Sequence, residues 1–421
     1  MLAKIQALPD KVRQYLLVTM NYWAFTLTDG ALRMLVVLHF HELGYDALQI
    51  AMLFLFYEFF GVVTNLVGGW LGARIGLNRT MQIGLVMQVI ALLMLTLPSE
   101  YLFIPWVMAA QALSGIAKDL NKMSAKSSVK LLVSAEQQGR LYKWVAILTG
   151  SKNTLKGVGF FLGAVLLSTL GFQYAMLAMA LFLLVMAIIS AIYLQQDIGK
   201  ASFKAKFKEI FSKSQAINRL SLARMCLFAA RDVWFVVALP VYFASQSGWD
   251  DWSVGAFMAC WVIAYGVVQG MAPKITGRSK RNAVQSATFW GWALTTLTLV
   301  LTLVFIFYAS DTQPLTWILV AGLMLFGFTF AINSSLHSYL IVALAKSDGV
   351  SLDVGFYYMA NAMGRLIGTL ASGYMYLNYG LEACLAVATF LLVIASITVK
   401  LVPSPEAPSQ EPPESSIHTS N

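Results

Sequence analysis

The sequence predicts an all-α membrane protein with twelve transmembrane helices in two pseudo-symmetric six-helix bundles. Three observations carry that prediction. The 421 residues are 58% hydrophobic and only 12% charged, more apolar surface than a water-soluble fold buries. Apolar windows of roughly 20 residues, the length that crosses a bilayer, recur along the chain. Lysine and arginine fill alternate loops and are missing from the loops between them.

The windows fall at 15–38, 48–70, 80–98, 103–123, 143–168, 173–195, 220–245, 252–272, 283–308, 315–345, 356–378 and 381–400. Lys4, Lys11 and Arg13 precede the first; Arg74 and Arg79 follow the second; Lys126, Lys130 and Arg140 follow the fourth. The segment Lys200–Arg219 carries six basic residues and Lys274–Arg281 four more. The loops His39–Asp46, Ser99–Tyr101, Gly171–Phe172, Gln246–Asp251, Asp311–Gln313 and Asn378–Gly380 carry none. By the positive-inside rule both termini are cytoplasmic, in a multi-pass protein of the cell (inner) membrane. Residues 1–199 form the first bundle, 200–219 a cytoplasmic linker, 220–401 the second bundle, and the Pro/Ser/Glu-rich 402–421 a disordered tail. Met1–Gln14 is polar and the first apolar stretch exceeds a signal-peptide core, so no cleavable leader is expected. The net charge of +9 sits mostly in topology-setting loops, which argues against a nucleic-acid partner. Cys226, Cys260 and Cys384 each stand alone in an apolar helix, so neither disulfides nor a metal site is expected, and no motif calls for a cofactor.

The halves repeat. Phe25-x-x-x-Asp29 recurs as Phe228-x-x-x-Asp232, Phe40 as Phe243, and Gly44-Tyr45-Asp46 as Gly248-Trp249-Asp250. Parallel six-span repeats of this kind build the major facilitator fold. The stretch Gly69-Trp-Leu-Gly-Ala-Arg74-Ile-Gly76-Leu-Asn-Arg79 resembles that superfamily's loop pattern G-x-L-x-D-R-x-G-R-K. The resemblance implies a gating loop at Gly69, Arg74, Gly76 and Arg79. Ala73 stands where the pattern has aspartate, so Arg74 needs another partner.

The charges inside the windows point to the cargo. Arg33, Lys118, Lys122, Lys152, Lys156, Arg224, Arg231 and Arg365 face four acidic residues, Asp29, Glu58, Asp119 and Asp232. Each charge costs about 2.5–3.5 kcal/mol at the bilayer centre, so these groups face water, one another or a ligand. The positive excess calls for a small polyanion. In a rocking two-bundle carrier, spans 1, 4, 7 and 10 line the cavity and 2, 5, 8 and 11 flank it. The polar residues lie in helical stripes on those spans: Thr26, Asp29 and Arg33; Gln111, Gly115, Lys118 and Lys122; Lys152, Asn153 and Lys156; Asn333, Ser334, His337 and Ser338; Asn361 and Arg365. The expected substrate-binding set is Arg33, Lys118, Lys152, Lys156, Arg231, Arg365, Asn333 and His337, with Asp29, Glu58, Asp119 and Asp232 as charge-pair or coupling groups. For Lys122 and Arg224, near span ends, snorkelling to the interface is an equal alternative. Asp119 lies about 100° around its helix from Lys118, so it is expected to pair with another helix. Glu58 serves either as a proton carrier or as a partner for Arg33, Lys152 or Arg365, and His337 either as a donor to substrate or as polar packing. Arginine grips oxyanions bidentately and lysine acts as a point charge, so several of each suit a molecule with two separated anionic groups.

At Asn21–Arg33, Glu58–Asn65, Gly115–Ser128 and Leu148–Gly157 the chain is similar to the ArsJ-type organoarsenical exporters. The likeness covers the membrane region. It implies efflux of 1-arseno-3-phosphoglycerate and hence arsenate resistance, with a glyceraldehyde-3-phosphate dehydrogenase as the functional partner that makes the substrate. The alternative on the same fold is an organophosphate or sugar-phosphate transporter or antiporter. Cationic-drug efflux calls for an acidic cavity instead. A membrane enzyme needs a nucleophile–base pair or metal ligands, and of His39, His41, His337 and His418 only one sits near the membrane centre.

Overall fold

The computed structural model describes residues 10–44, 53–132, 138–194, 200, 214–235, 238–249, 251–277, 283–307 and 312–403. Within them the chain is helical apart from short connections. The helices are α1 (Asp10–Glu42), α2 (Leu55–Ile75), α3 (Leu77–Met94), α4 (Ile104–Leu132), α5 (Gln138–Tyr193) and α6 (Gln215–Phe235). They continue as α7 (Ala238–Ser245), α8 (Asp251–Ile275), α9 (Ala283–Phe307), α10 (Thr312–Leu344) and α11 (Val350–Lys400). A 3₁₀ turn, Ser99–Tyr101, joins α3 to α4.

Two of these helices are long because a single glycine is enough to reverse the chain. Gly171 (φ 75°, ψ 170°) divides α5, and Gly380 (φ 80°, ψ −176°) divides α11. Positive φ is cheap only for glycine, so both breaks sit where the sequence has one. Each limb is one crossing, and α6 and α7 follow one another through a single crossing. The order of crossings therefore matches the twelve expected windows. By length and composition alone, seven helices among the described residues are apolar enough to span a membrane. α1 and α4 are not among them; Asp29 of α1 and Lys118, Asp119, Lys122 and Lys126 of α4 face the cavity described below. Leu377, Phe307 and Phe161 project outward, as lipid-facing residues do. Residues 201–213 of the expected linker and 404–421 of the tail lie outside the described residues; α6 already begins at Gln215, inside the linker window.

Packing reproduces the repeat. On the first limb of α5, Gly159 and Gly163 lie against the α1 backbone at Leu27 and Ala31, where added Cβ atoms would come within 2.5 Å of the carbonyl oxygens. On α11, Gly364 and Gly368 lie in the same way against α6 at Met225 and Ala229. The two small-xxx-small pairs are separated by the same step in sequence and perform the same task in each half, bringing helices close enough for backbone contact.

The end of the bundle that carries the lysine- and arginine-rich connections, here the basic end, is where the halves meet. The larger apolar core runs through the first bundle and continues into Tyr339, Ile341, Val354 and Tyr357 of the second. Gly69 of α2 meets Gly355 of α11, a Cβ on Gly69 falling 2.5 Å from Ser351 O and 3.0 Å from Gly355 Cα. Gly150 of α5 meets α8, its Cβ falling 2.5 Å from Gly270 N and 2.6 Å from Gly266 O. Ser351 Oγ donates to Gly69 O at 2.8 Å, and Tyr142 packs against Tyr339 at a tilt, ring centroids 4.9 Å apart. These glycine seams are equivalent under the repeat: α2 with α11 on one side, α5 with α8 on the other.

Candidate substrate cavity

Behind the sealed basic end lies a cavity of about 480 Å³, bounded by α1, α2, α4, α5, α6, α8 and α11. Eight cations line it: Lys118, Lys122, Lys126, Lys152, Lys156, Arg224, Arg231 and Arg365. Two carboxylates line it with them, Asp29 and Asp119, while Asp232 is buried behind Arg231 and Arg365. Counting Asp232, the cavity and its wall are formally positive by five charges.

The carboxylates organise part of this charge. Asp119, 2% exposed, takes Lys122 at 2.5 Å and Lys118 at 3.9 Å. Asp232, fully buried, holds Arg231 at 2.5 Å and Arg365 at 3.4 Å, joining α6 to α11. Asp29 accepts a 2.6 Å hydrogen bond from Tyr57. That phenol ring also carries Lys118 on its face, the ammonium 3.7 Å from the centroid. In each half, then, one carboxylate gathers two cations and leaves a net positive charge.

Among the described residues, the remaining four cations have no carboxylate within ion-pair distance. They are Lys126, Lys152, Lys156 and Arg224. Arg224 is held without countercharge. Its Nε donates to Asn361 Oδ1 at 2.8 Å, its NH1 donates to Ser334 O and Oγ at 3.0 Å, and its guanidinium lies over Phe228. Lys126 donates to the Tyr358 hydroxyl of the other half at 2.5 Å. Asn153 reaches across to Gln269 at 2.8 Å, and Gln269 in turn bonds Tyr265 and Ser334. Buried cations held by neutral dipoles form a site poised for an anion to supply the missing charge.

Two comparisons bear on what such a site belongs to. The profile of the Major Facilitator Superfamily matches residues 15–294 and again 220–420. The chain belongs to the major facilitator superfamily. Solved structures share its fold at low identity. One is a bacterial homologue of the iron transporter ferroportin in an outward-facing state, with TM-score 0.73, 13% identity and coverage of 93% of this chain and 98% of that one. Another is the human organic anion transporter MFSD10 (TETRAN), with TM-score 0.70, 16% identity, 93% and 100% covered. A third is the E. coli fucose:proton symporter FucP, with TM-score 0.70, 11% identity, 94% and 100% covered. No curated protein matches the sequence.

Within this major facilitator protein, the structure brings some of the expected residues together and places others elsewhere. Lys118, Lys152, Lys156, Arg231 and Arg365 line one cavity, with Asp29 and Asp119 among them and Asp232 behind Arg231 and Arg365. Lys122 and Arg224 face it too, rather than snorkelling. Asp119 has a partner on its own helix: Lys122 is one turn on, and the flexible lysine stem brings its ammonium back to the carboxylate. Arg33 does not line the cavity. Its guanidinium lies over the rings of Tyr57 and Phe54, at 4.6 and 5.2 Å, behind the wall. Nor do Asn333 and His337. Asn333 sits beside Gly291 of α9, and His337 is buried with neither ring nitrogen hydrogen-bonded. α10 instead backs the wall through Ser334, which receives Arg224, Tyr265 and Gln269. α5 and α8 take its place because the Gly150 seam draws them together. The Glu58 side chain lies outside the described residues.

The gating-loop motif acquires a partner of a different kind. Gly76 (φ 99°) makes the break between α2 and α3. Ala73 is fully buried in an apolar cluster with Leu66, Trp70 and Leu352, the last from the other half. Arg74 lies over Trp70 at 5.1 Å. An apolar contact across the halves stands where the family pattern would place a carboxylate.

Sequence reading missed Lys126 as a site residue because a lysine past an apolar window reads as a loop charge. The signal was present: it continues the step-four stripe of Lys118 and Lys122.

Proposed function

We propose that this chain is an efflux carrier for an organic oxyanion with two separated anionic groups, 1-arseno-3-phosphoglycerate, and that it confers arsenate resistance by alternating access. The observation that carries the reading is the set of four cavity cations with no carboxylate partner among the described residues, together with two carboxylate-held cation pairs, one in each half. A three-carbon ester with arsenate at one end and phosphate at the other brings several negative charges in two clusters. One cluster meets Lys118, Lys122, Lys152 and Lys156; the other meets Arg231, Arg365 and Arg224. Charge-assisted hydrogen bonds to such oxyanions are about twice as strong as neutral ones and strengthen further in a dry cavity. The cavity volume falls within the ~300–1,000 Å³ usual for small-molecule sites. The human neighbour's description as an organic anion transporter is consistent with the sign of this cavity.

The basic end faces the cytoplasm of the inner membrane, so the state described is closed on that side. A glyceraldehyde-3-phosphate dehydrogenase supplies the ester, which hydrolyses after release. In everted vesicles containing this protein, arsenate accumulates only when that dehydrogenase and its triose substrate are present. Movement of free arsenate alone refutes the cargo. Transport of stable phosphate esters at equal rates, with no arsenate dependence, transfers the site to an organophosphate or sugar-phosphate carrier.

A further inference from the structure

Lys118, Lys122, Lys126 and Lys130 stand four residues apart on α4, one stripe running from the cavity through the sealed basic end. At 1.5 Å per residue the stripe spans about 18 Å. Its two outer members hold the halves together. Lys126 is 3% exposed and donates to Tyr358 of α11. Lys130 donates to the carbonyls of Ala343, at 3.0 Å, and Ala345, at the C-terminal end of α10. Those carbonyls lack helical partners and form the negative end of a helix dipole, so a cation is favoured there.

Closure alone does not explain why lysine occupies both places. Lys126 sits among the charges of Lys152, Arg224 and Lys122, and none of its described contacts is a carboxylate. A neutral donor would bond Tyr358 without that repulsion. The charge of Asp353 reaches Lys130, which holds it at the seam without removing the charge. When the basic end opens, both ammonium groups must leave their partners across the seam, and the same motion bares a line of point charges leading to the cavity.

We propose that Lys126, at the cavity's edge, and Lys130, outside it, form an anion-docking site at the basic mouth, which passes phosphorylated or arsenylated organic anions inward to Lys122 and Lys118. The site rests on the reading of the cavity as one for anions. In the closed state the two lysines are bolts; in the open state they are the guide. Like-signed charges lining a narrow path focus the field and raise the on-rate of an oppositely charged ligand by about 10–10³-fold.

The test separates guidance from gating and needs no transport substrate. Cys226, Cys260 and Cys384 are replaced by serine and one reporter thiol, Ala362→Cys, is placed in the cavity wall. It is modified by two impermeant methanethiosulfonates of similar size, one bearing a sulfonate and one a trimethylammonium group, applied from either side of the membrane. From the basic side, Lys126→Gln with Lys130→Gln lowers the sulfonate-to-ammonium rate ratio by about tenfold or more. Each single variant gives part of that loss, arginine at both positions restores the ratio, and from the opposite side it does not change. If both reagents accelerate together at constant ratio, the lysines are bolts only and the proposal falls. It falls equally if the ratio drops from both sides alike. Failure of arsenate accumulation, by contrast, would overturn the cargo and leave this site standing.

Discussion

Alanine at Gly69 or Gly150 should drive the carrier out of the state described here. A methyl group on Gly69 would lie 2.5 Å from Ser351 O and 3.0 Å from Gly355 Cα; one on Gly150 would lie 2.5 Å from Gly270 N and 2.8 Å from Gly270 Cα. All of these are backbone atoms, which cannot turn away as a side chain would, so the helices must separate by several tenths of an ångström. Overpacking of a well-packed contact costs about 1–3 kcal/mol. The clash exists only where the halves touch, so the whole cost falls on the state closed at the basic end. The ratio of open to closed at that end should therefore rise about 5- to 160-fold for each substitution. Gly270→Ala is the control within the same seam: its Cβ direction meets nothing within 4 Å, and its effect should be nil. The assay is the rate at which the Ala362→Cys reporter reacts with an uncharged maleimide added from the basic side. Equal rates for the parent, Gly69→Ala and Gly150→Ala would refute the argument that these glycines set the closed state. A response from Gly270→Ala as large as that from Gly150→Ala would refute it as well.

Other outcomes follow from the charge arrangement. Lys152→Gln removes a cation without a carboxylate and so orphans no carboxylate; protein should reach the membrane normally while transport falls about 10- to 150-fold, the worth of one charge-assisted contact. Arg231→Gln should also abolish transport without removing the protein from the membrane; wild-type activity in both variants would demote these sites. Asp232→Asn removes the buried carboxylate that Arg231 and Arg365 share, and should lower stability by about 1–3 kcal/mol, read as a drop in Tm of the detergent-solubilised protein, with Asp232→Glu retaining most of it. Arg224→Lys keeps the charge but cannot reproduce the planar hold on Asn361 and Ser334, so transport should fall although the cavity's net charge is unaltered.

Much of this protein was legible before any coordinates. The Asp29 and Asp232 repeats, the alternation of basic loops and the apolar windows are local or strictly periodic signals, and each reports directly on the membrane, which acts on every residue alike. The inward set Lys118, Lys152, Lys156, Arg231 and Arg365 followed from the same physics, because a charge deep in a span has few places to go. What periodicity does not hold is which inward faces meet. Asn333 and His337 share a polar stripe as convincing as that of Lys152 and Lys156, yet one stripe backs the wall and the other lines the cavity. That choice depends on the Gly150 seam, a contact between residues more than a hundred apart. Likewise Lys126 differs from an ordinary loop lysine only because Tyr358 and the rest of the second half close over it. Membrane residence, the order of crossings and the sign of the cavity were decided residue by residue by the cost of taking charge out of water. Which stripes meet in one cavity and which cations bolt the halves together was decided by the approach of distant backbones, and only the folded chain records those distances.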